Sequence, residues 1–378
     1  MTALGLTWDH PRGRDALVEI ARRANAGRKT PLIEWTAQPL EGFESAPIAE
    51  LAAARDLLVL DHPHIGEAVA ENCLIPLEDL YPPDLIRAWS ERSVGTAMRS
   101  YQWGGRSWAL PLDVAAQVMA RRPGRIGAPP RTRDEIETVA RSHPVAQSLA
   151  GPHALLTLFS LCAAENAVPG GHDLLPNAVA LPALDHMRRL YRRRPRGSEA
   201  LNPIALLEAM ARDELALCPL IFGYVTYSQP GKRRIAFSNP VGDGLGGVLG
   251  GTGLAFTRRA QPSQELRDHV ASLMEPGAQT GLIPSFGAQP ALRAAWTDAG
   301  INARWGGFYD DTLRSVERAV LRPRFDGYVA FQSAASQRLR DALETAEDPE
   351  VTLAALRSHW TAARARARGP LDDESRPT

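Results

Sequence analysis

The sequence predicts an α/β fold built on parallel-type sheets flanked by helices, and three observations carry that reading. Strand-like and helix-like segments alternate through the first 80 residues. The third strand, DLLVL at 56–60, has no polar break, as a strand covered on both faces should read. The length, 378 residues, exceeds what one hydrophobic core ordinarily serves and suits two domains or lobes.

The elements follow in order. Residues 4–8 read as a buried strand. After the polar turn DHPRG, Leu17, Ile20, Ala21 and Ala24 fall on one helix face, with Gly27 as a stop. PLIEWT at 31–36 is the second strand. A second helix is expected over 45–54, with Ser45 as N-cap and Pro47 in its first turn. Strand, helix, strand, helix, strand implies right-handed crossovers. WALPLD at 108–113 is extended. Helices are expected over 134–142, 152–166 and 180–193. LALCPLIFGYVTY at 215–227 is an apolar strand ending in aromatics, and 236–240 and 254–256 are further strands. Helical stripes close the chain at Phe331, Ala335, Leu339, Ala342, Leu343 and at Leu353, Leu356, Trp360, Ala363. The tail from 369 to 378 is charged and aperiodic, and disorder is expected there.

Composition narrows the function classes. Lys+Arg and Asp+Glu are both 43, so the formal net charge is zero, and a nucleic-acid partner is not expected. Only Lys29 and Lys232 are lysines; the other basic residues are arginines. Cys73, Cys162 and Cys218 are far apart and fit small buried hydrophobes better than a disulfide or zinc framework. No apolar run approaches the ~20 residues of a membrane helix. The opening MTALGLTWDHPRG shows no basic n-region or apolar h-region, which favours a cytoplasmic location or a removed leader.

In a parallel sheet, ligands sit beyond the carboxyl ends of the strands. Two loops meet that description: Trp8-Asp9-His10-Pro11-Arg12 and Asp61-His62-Pro63-His64. Both are dense in polar and ring-bearing groups. Asp9, His10, Asp61, His62 and His64 could form a metal site, but hydrogen bonding to a polar ligand is the preferred reading, with a structural loop as the plain alternative. GGVLGGTG at 246–253 lacks the Lys-Ser/Thr of a phosphate loop and precedes a strand, so a hinge with close backbone approach is favoured. No nucleophile motif is present. Asp310-Asp311 and Asp372-Asp373 read as solvated acids, the first pair equally as a helix start. Tyr224, Tyr227, Phe308, Tyr309 and Tyr328 lie near glycines and polar turns, as sugar-stacking rings do; ordinary core is the competing reading.

Six segments in order, LTWDHPRGRDAL, DLLVLDHPHIGEAVAENCLIPLEDL, WALPLDVAAQVMARRPG, FGYVTYSQPG, LGGTGLAFTRRA and GFYDDTL…LRPRFDGYVAFQSAA, carry a resemblance. The chain resembles extracellular solute-binding proteins of the maltose-binding type, the sugar-binding components of ABC transporters. The resemblance runs from residue 4 to about residue 340. It implies a two-lobed periplasmic-binding-protein-like fold joined by several hinge crossings. Lobe one would hold 1–110 and 251–309, lobe two 111–250 and 310–368.

The implied activity is non-catalytic capture of a small polar ligand, sugar-like or charged, in the interlobe cleft. The ligand-binding residues implied are Trp8, Asp9, His10 and Arg12, then Asp61, His62 and His64. Asp113, Gln117, Tyr224, Tyr227, Gly251, Thr252, Arg324, Asp326 and Tyr328 complete the set. An ABC permease partner, a monomeric state, no cofactor, no metal and a periplasmic or extracellular location come with it. The alternatives are a cytoplasmic sensor or carrier of the same fold, and a metal-dependent enzyme. As a loop residue, His62 is expected to matter to affinity and little to stability.

Overall fold

The computed structural model describes residues 1–231 and 235–371. Ten strands occur among them: β1 (Ala3–Trp8), β2 (Ile33–Gln38), β3 (Leu57–Leu60), β4 (Leu74–Ile75), β5 (Gln102–Trp103), β6 (Arg106–Ser107), β7 (Leu110–Arg121), β8 (Leu217–Phe222), β9 (Ala236–Ser238) and β10 (Leu249–Thr257). Eight of them form one sheet in the order β2-β1-β3-β10-β7-β8, with β4 on β10 and β9 on β7. The molecule is two-lobed, and long strands serve both lobes. Residues 110–116 of β7 pair with β10, whereas residues 117–121 pair with β8 and β9.

The expectation of parallel-type sheets holds only for β1, β2 and β3. β10 runs antiparallel to β3 and β7, and β7 antiparallel to β8 and β9. The reason is the connectivity. The chain leaves along β7 and returns along β10 beside it, so the two point in opposite directions. A third link runs beside them: Val320 bridges Val248 in parallel, and Leu249 N donates to Val320 O.

Side-chain alternation puts a core on each face of the sheet. Leu57 and Val59 of β3 join a cluster with Leu17, Ile33 and Trp89. Leu58 and Leu60 join the opposite cluster with Ile65, Phe159, Phe331 and Trp360. The unbroken DLLVL reading therefore has its cause in burial on both sides.

Helix α1 (Pro11–Asn25) forms where the periodicity places it, with Pro11 opening it and His10 as N-cap. The single helix expected over 45–54 is instead two. α2 (Leu40–Ser45) and α3 (Ile48–Ala54) are separated at Ala46 and Pro47. Proline disfavours helical backbone at the residue before it, so Ala46 is extended and Ser45 ends α2 rather than capping α3. The glycine run is also more ordered than a loop, because residues 249–253 lie within β10. Asp310 and Asp311 stand in the first turn of the helix Phe308–Glu317. The two C-terminal stripes are the helices Tyr328–Thr345 and Pro349–Arg366. Asp372-Asp373 and the tail from 372 onward lie outside the described residues. All three cysteines are free, and burial pushes the Cys162 and Cys218 thiols up to about 12.

Candidate functional site

The carboxyl ends of β1, β2 and β3 converge with β8 and the crossing strands on one hollow. It is narrow, with a cavity volume of about 50 Å³, and is lined by Trp8, Arg12, Leu40, Phe43, Glu44, Asp61, Ala115, Phe222, Tyr224, Gly250, Gly251 and Thr252. A larger hollow lies at the amino ends of the parallel strands, bordered by Met1, Thr2 and Ala3. That is the end where such sheets do not bind ligands, and its Asp56 is already tied to Arg259 and to Leu4 N.

Arg12 organises the cleft. The His10 cap, whose Nδ1 accepts from Arg12 N at 3.1 Å, fixes the first turn of α1 and aims the guanidinium inward. Arg12 Nε donates to both Asp113 oxygens at 3.0 Å, Nη2 to Oδ2 at 2.5 Å, and Nη1 to Gly223 O at 3.0 Å. Asp113 Oδ1 also accepts from Gln289 N, and Gln289 in turn bonds Val114 O and Val225 N. One buried network thus joins α1, the crossing strand and the loop after β8. Burial opposes charge on Arg12, but Asp113 outweighs it and keeps the guanidinium charged.

Rings surround this pair. Arg12 stands over the Tyr224 ring, 4.7 Å from its centroid. Trp8 stacks on His10 at 5.1 Å and 7°, and on Phe43 at 5.9 Å. Burial pushes the Tyr224 phenol up, so it stays protonated as a donor.

Asp61 caps the short turn His62–His64 through His62 N, and Arg322 Nη2 reaches both of its oxygens at 2.6 Å. Burial alone would raise the Asp61 carboxyl; Arg322 and His62 instead hold it well below the usual carboxylate range. His62 is fully buried, and burial with Arg322 brings its imidazole down to about 4, against the opposing pull of Asp61.

Glycines let the crossing strand come close. Gly251 has φ +113, and a Cβ there would lie 2.1 Å from Asp113 O; a Cβ on Gly250 would lie 2.5 Å from the Phe222 ring. Thr252 is buried beside them with no partner for its Oγ1 among the described residues.

Of the residues expected to bind ligand, Trp8, Arg12, Asp61, Tyr224, Gly251 and Thr252 line the hollow, and His10 and Asp113 stand directly behind them. The others are placed elsewhere. Asp9 is exposed and pairs with Arg14. His62 and His64 are buried under the Asp61 turn. Gln117 Oε1 accepts from Ser160 within the core, and Tyr227 OH donates to Glu208. Arg324 Nη1 donates to the carbonyls of Arg99, Ser100 and Gln102. Asp326 pairs with Arg368. Tyr328, Phe308 and Tyr309 are core rings rather than stacking platforms.

Leu40, Phe43, Glu44, Ala115, Phe222 and Gly250 of the lining, with Arg322 behind Asp61, are the residues that sequence reasoning missed. The first three follow β2, so the carboxyl-end rule already applied to the loops after β1 and β3 also pointed to them. Among the described residues, no group of three or more His, Cys, Asp or Glu is arranged to hold a metal. Asp9 and His10 are engaged apart from Asp61, His62 and His64.

No family model matches the chain, and no curated protein sequence matches it. Solved structures do. An ABC transporter solute-binding protein from Agrobacterium radiobacter, in complex with ribitol, superposes with a TM-score of 0.80 at 18% identity, covering 97% of this chain and 98% of that one. The likeness is one of fold. Maltose-bound MalE3 of T. maritima gives 0.80 at 15% identity, covering 96% and 99%. The GacH receptor of Streptomyces glaucescens, solved unliganded and with acarbose, gives 0.78 at 12%, covering 97% and 99%. These proteins were solved with different ligands, so the likeness of fold does not single out the maltose-binding type.

Proposed function

We propose that the chain is a non-catalytic receptor that captures a small polyol or sugar between its lobes for an ABC importer. The observation that carries this reading is the make-up of the cleft. An aromatic wall of Trp8, Phe43, Phe222 and Tyr224 meets the Thr252 hydroxyl and the Asp61 and Glu44 carboxylates around one narrow hollow. Sugar-like molecules present apolar C–H faces and hydroxyl edges, which such a surface matches. The fold it shares with proteins solved bound to ribitol, maltose and acarbose supports the same reading.

On this reading the lobes comprise 1–110 with 251–309 and 111–250 with 310–368, and they hinge on β7, β10 and the segment beside Val320. Trp8, Arg12, Asp61, Tyr224, Gly251 and Thr252 contact the ligand, joined by Phe43, Glu44 and Phe222. His10 and Asp113 hold them in place. A permease partner and a periplasmic or extracellular location belong to the same proposal.

The test is a thermal-shift screen of the purified protein against neutral and charged sugars and polyols, followed by calorimetry and solution scattering. A raised melting temperature with one class, together with a smaller radius of gyration on binding, is the expected result. No shift with any sugar or polyol, neutral or charged, overturns it.

A further inference from the structure

The charges lining the cleft are unequally committed. The Arg12 guanidinium gives its donors to Asp113 and Gly223 O. The Asp61 carboxylate holds Arg322 and His62 N. Each pair is neutral in sum. Glu44 is different: its carboxylate accepts no hydrogen bond from the described residues, and its nearest cationic candidate is His153 Nε2, at 3.3 Å from Oε1. His153 itself is buried with its ring edge-on to Phe222. The lining therefore presents one carboxylate that no guanidinium neutralises, with the His153 imidazole as its one ion-pair neighbour among the described residues. No Arg or Lys pairs with Glu44 among the described residues, and both ring nitrogens of His153 lack a hydrogen-bond partner there.

Phe43 and Phe222 line the same hollow as Glu44. Aromatic faces attract cations and repel anions. Carboxylate and rings thus favour the same sign of charge in a ligand.

We infer that the ligand is an amino-bearing polyol or sugar, whose ammonium group pairs with Glu44 between Phe43 and Phe222, and that sugar acids are excluded. This rests on the receptor reading above and specifies its ligand class. Hydrogen bonds to charged groups contribute more than neutral ones, enough for a preference of about tenfold or more over the hydroxyl counterpart.

The experiment is calorimetry on the full chain with matched probes: glucamine, glucitol and gluconate, which differ only at C1, and ribamine with ribitol. The set is read against the neutral sugars of the screen above. The expected result is an amino probe binding about tenfold or more tighter than its hydroxyl counterpart, no binding of gluconate, and loss of that preference in Glu44→Gln. The melting temperature of unliganded Glu44→Gln reports folding separately. Equal or tighter binding of the neutral or acidic probe overturns the inference and leaves the receptor reading standing. A preference that survives Glu44→Gln overturns the role of Glu44 in it. Absence of binding by every probe, neutral ones included, overturns both.

Discussion

Arg12 and Asp113 lie 101 positions apart and meet in a buried ion pair, Nη2 to Oδ2 2.5 Å, that ties the first helix to the strand shared by both lobes. With Gly223 O on the same guanidinium, the pair holds together three parts of the chain: the first helix, β7 and the turn after β8.

Breaking one side of that pair leaves an uncompensated buried charge. Arg12→Met should therefore lower the unfolding free energy by about 3–5 kcal/mol. Arg12→Met with Asp113→Leu should recover much of the loss, since neither charge is then stranded. Urea denaturation of the two single variants and the double closes the cycle; losses that simply add would show that the two residues act independently.

Gly251 cannot be replaced without moving the backbone. At φ +113, with a Cβ 2.1 Å from Asp113 O, Gly251→Ala meets both backbone strain and a clash with main chain. A destabilisation above roughly 2 kcal/mol is expected. A variant as stable as the parent, with unchanged affinity, would mean that the β7–β10 contact relaxes freely.

Thr252→Val should act in opposite directions on stability and binding. The Oγ1 is buried without a partner, so removing it should leave the unliganded protein as stable or about 1 kcal/mol more stable. Ligand affinity should fall by about 1 kcal/mol if a ligand hydroxyl completes that bond. Unchanged affinity in calorimetry would remove Thr252 from the contact set.

His62 should give the protein an acid-sensitive stability. Its imidazole is brought down from 6.5 to about 4 in the folded state. Above pH 6.5 both states hold it neutral and it contributes no slope. As pH falls from 6.5 towards 4, the unfolded chain takes up the proton first, and stability drops by up to about 3 kcal/mol. His62→Gln should flatten part of that fall, read from melting temperature against pH. The remaining slope comes from His64, His186 and His269, whose imidazoles burial also lowers, and towards pH 4 from carboxylates held down by partners, Asp61 and Glu137 among them. An identical pH profile for the variant would contradict this assignment. The substitution also removes a core ring, so it should cost stability at neutral pH, contrary to the loop role that the sequence implied.

What was legible in the sequence was whatever depended on local periodicity. DLLVL reads as a doubly covered strand because alternate residues do enter opposite cores. The loops after β1 and β3 could be located from the rule for parallel sheets, and Trp8, Arg12 and Asp61 with them. Long-range partners were not visible. Nothing near Asp61 announces Arg322, which comes from 261 positions away. Nor does anything near Arg324 or Asp326 show that their charges are engaged with carbonyls and with Arg368 rather than with the cleft. Polar residues near a crossing look alike in sequence whether they face ligand or hold the crossing together. The antiparallel course of β7 and β10 was hidden for the same reason, since strand direction is set by where the chain returns.

The break at Pro47 makes α2 a unit of its own. Six residues, Leu40–Ser45, bring Leu40, Phe43 and Glu44 to the cleft, while the Arg12–Asp113 pair and the crossing strands lie on other segments. This short helix is in effect an interchangeable cartridge. Grafting a different six-residue segment between β2 and α3 would re-line the hollow while the Arg12–Asp113 pair and the crossing strands stay as they are.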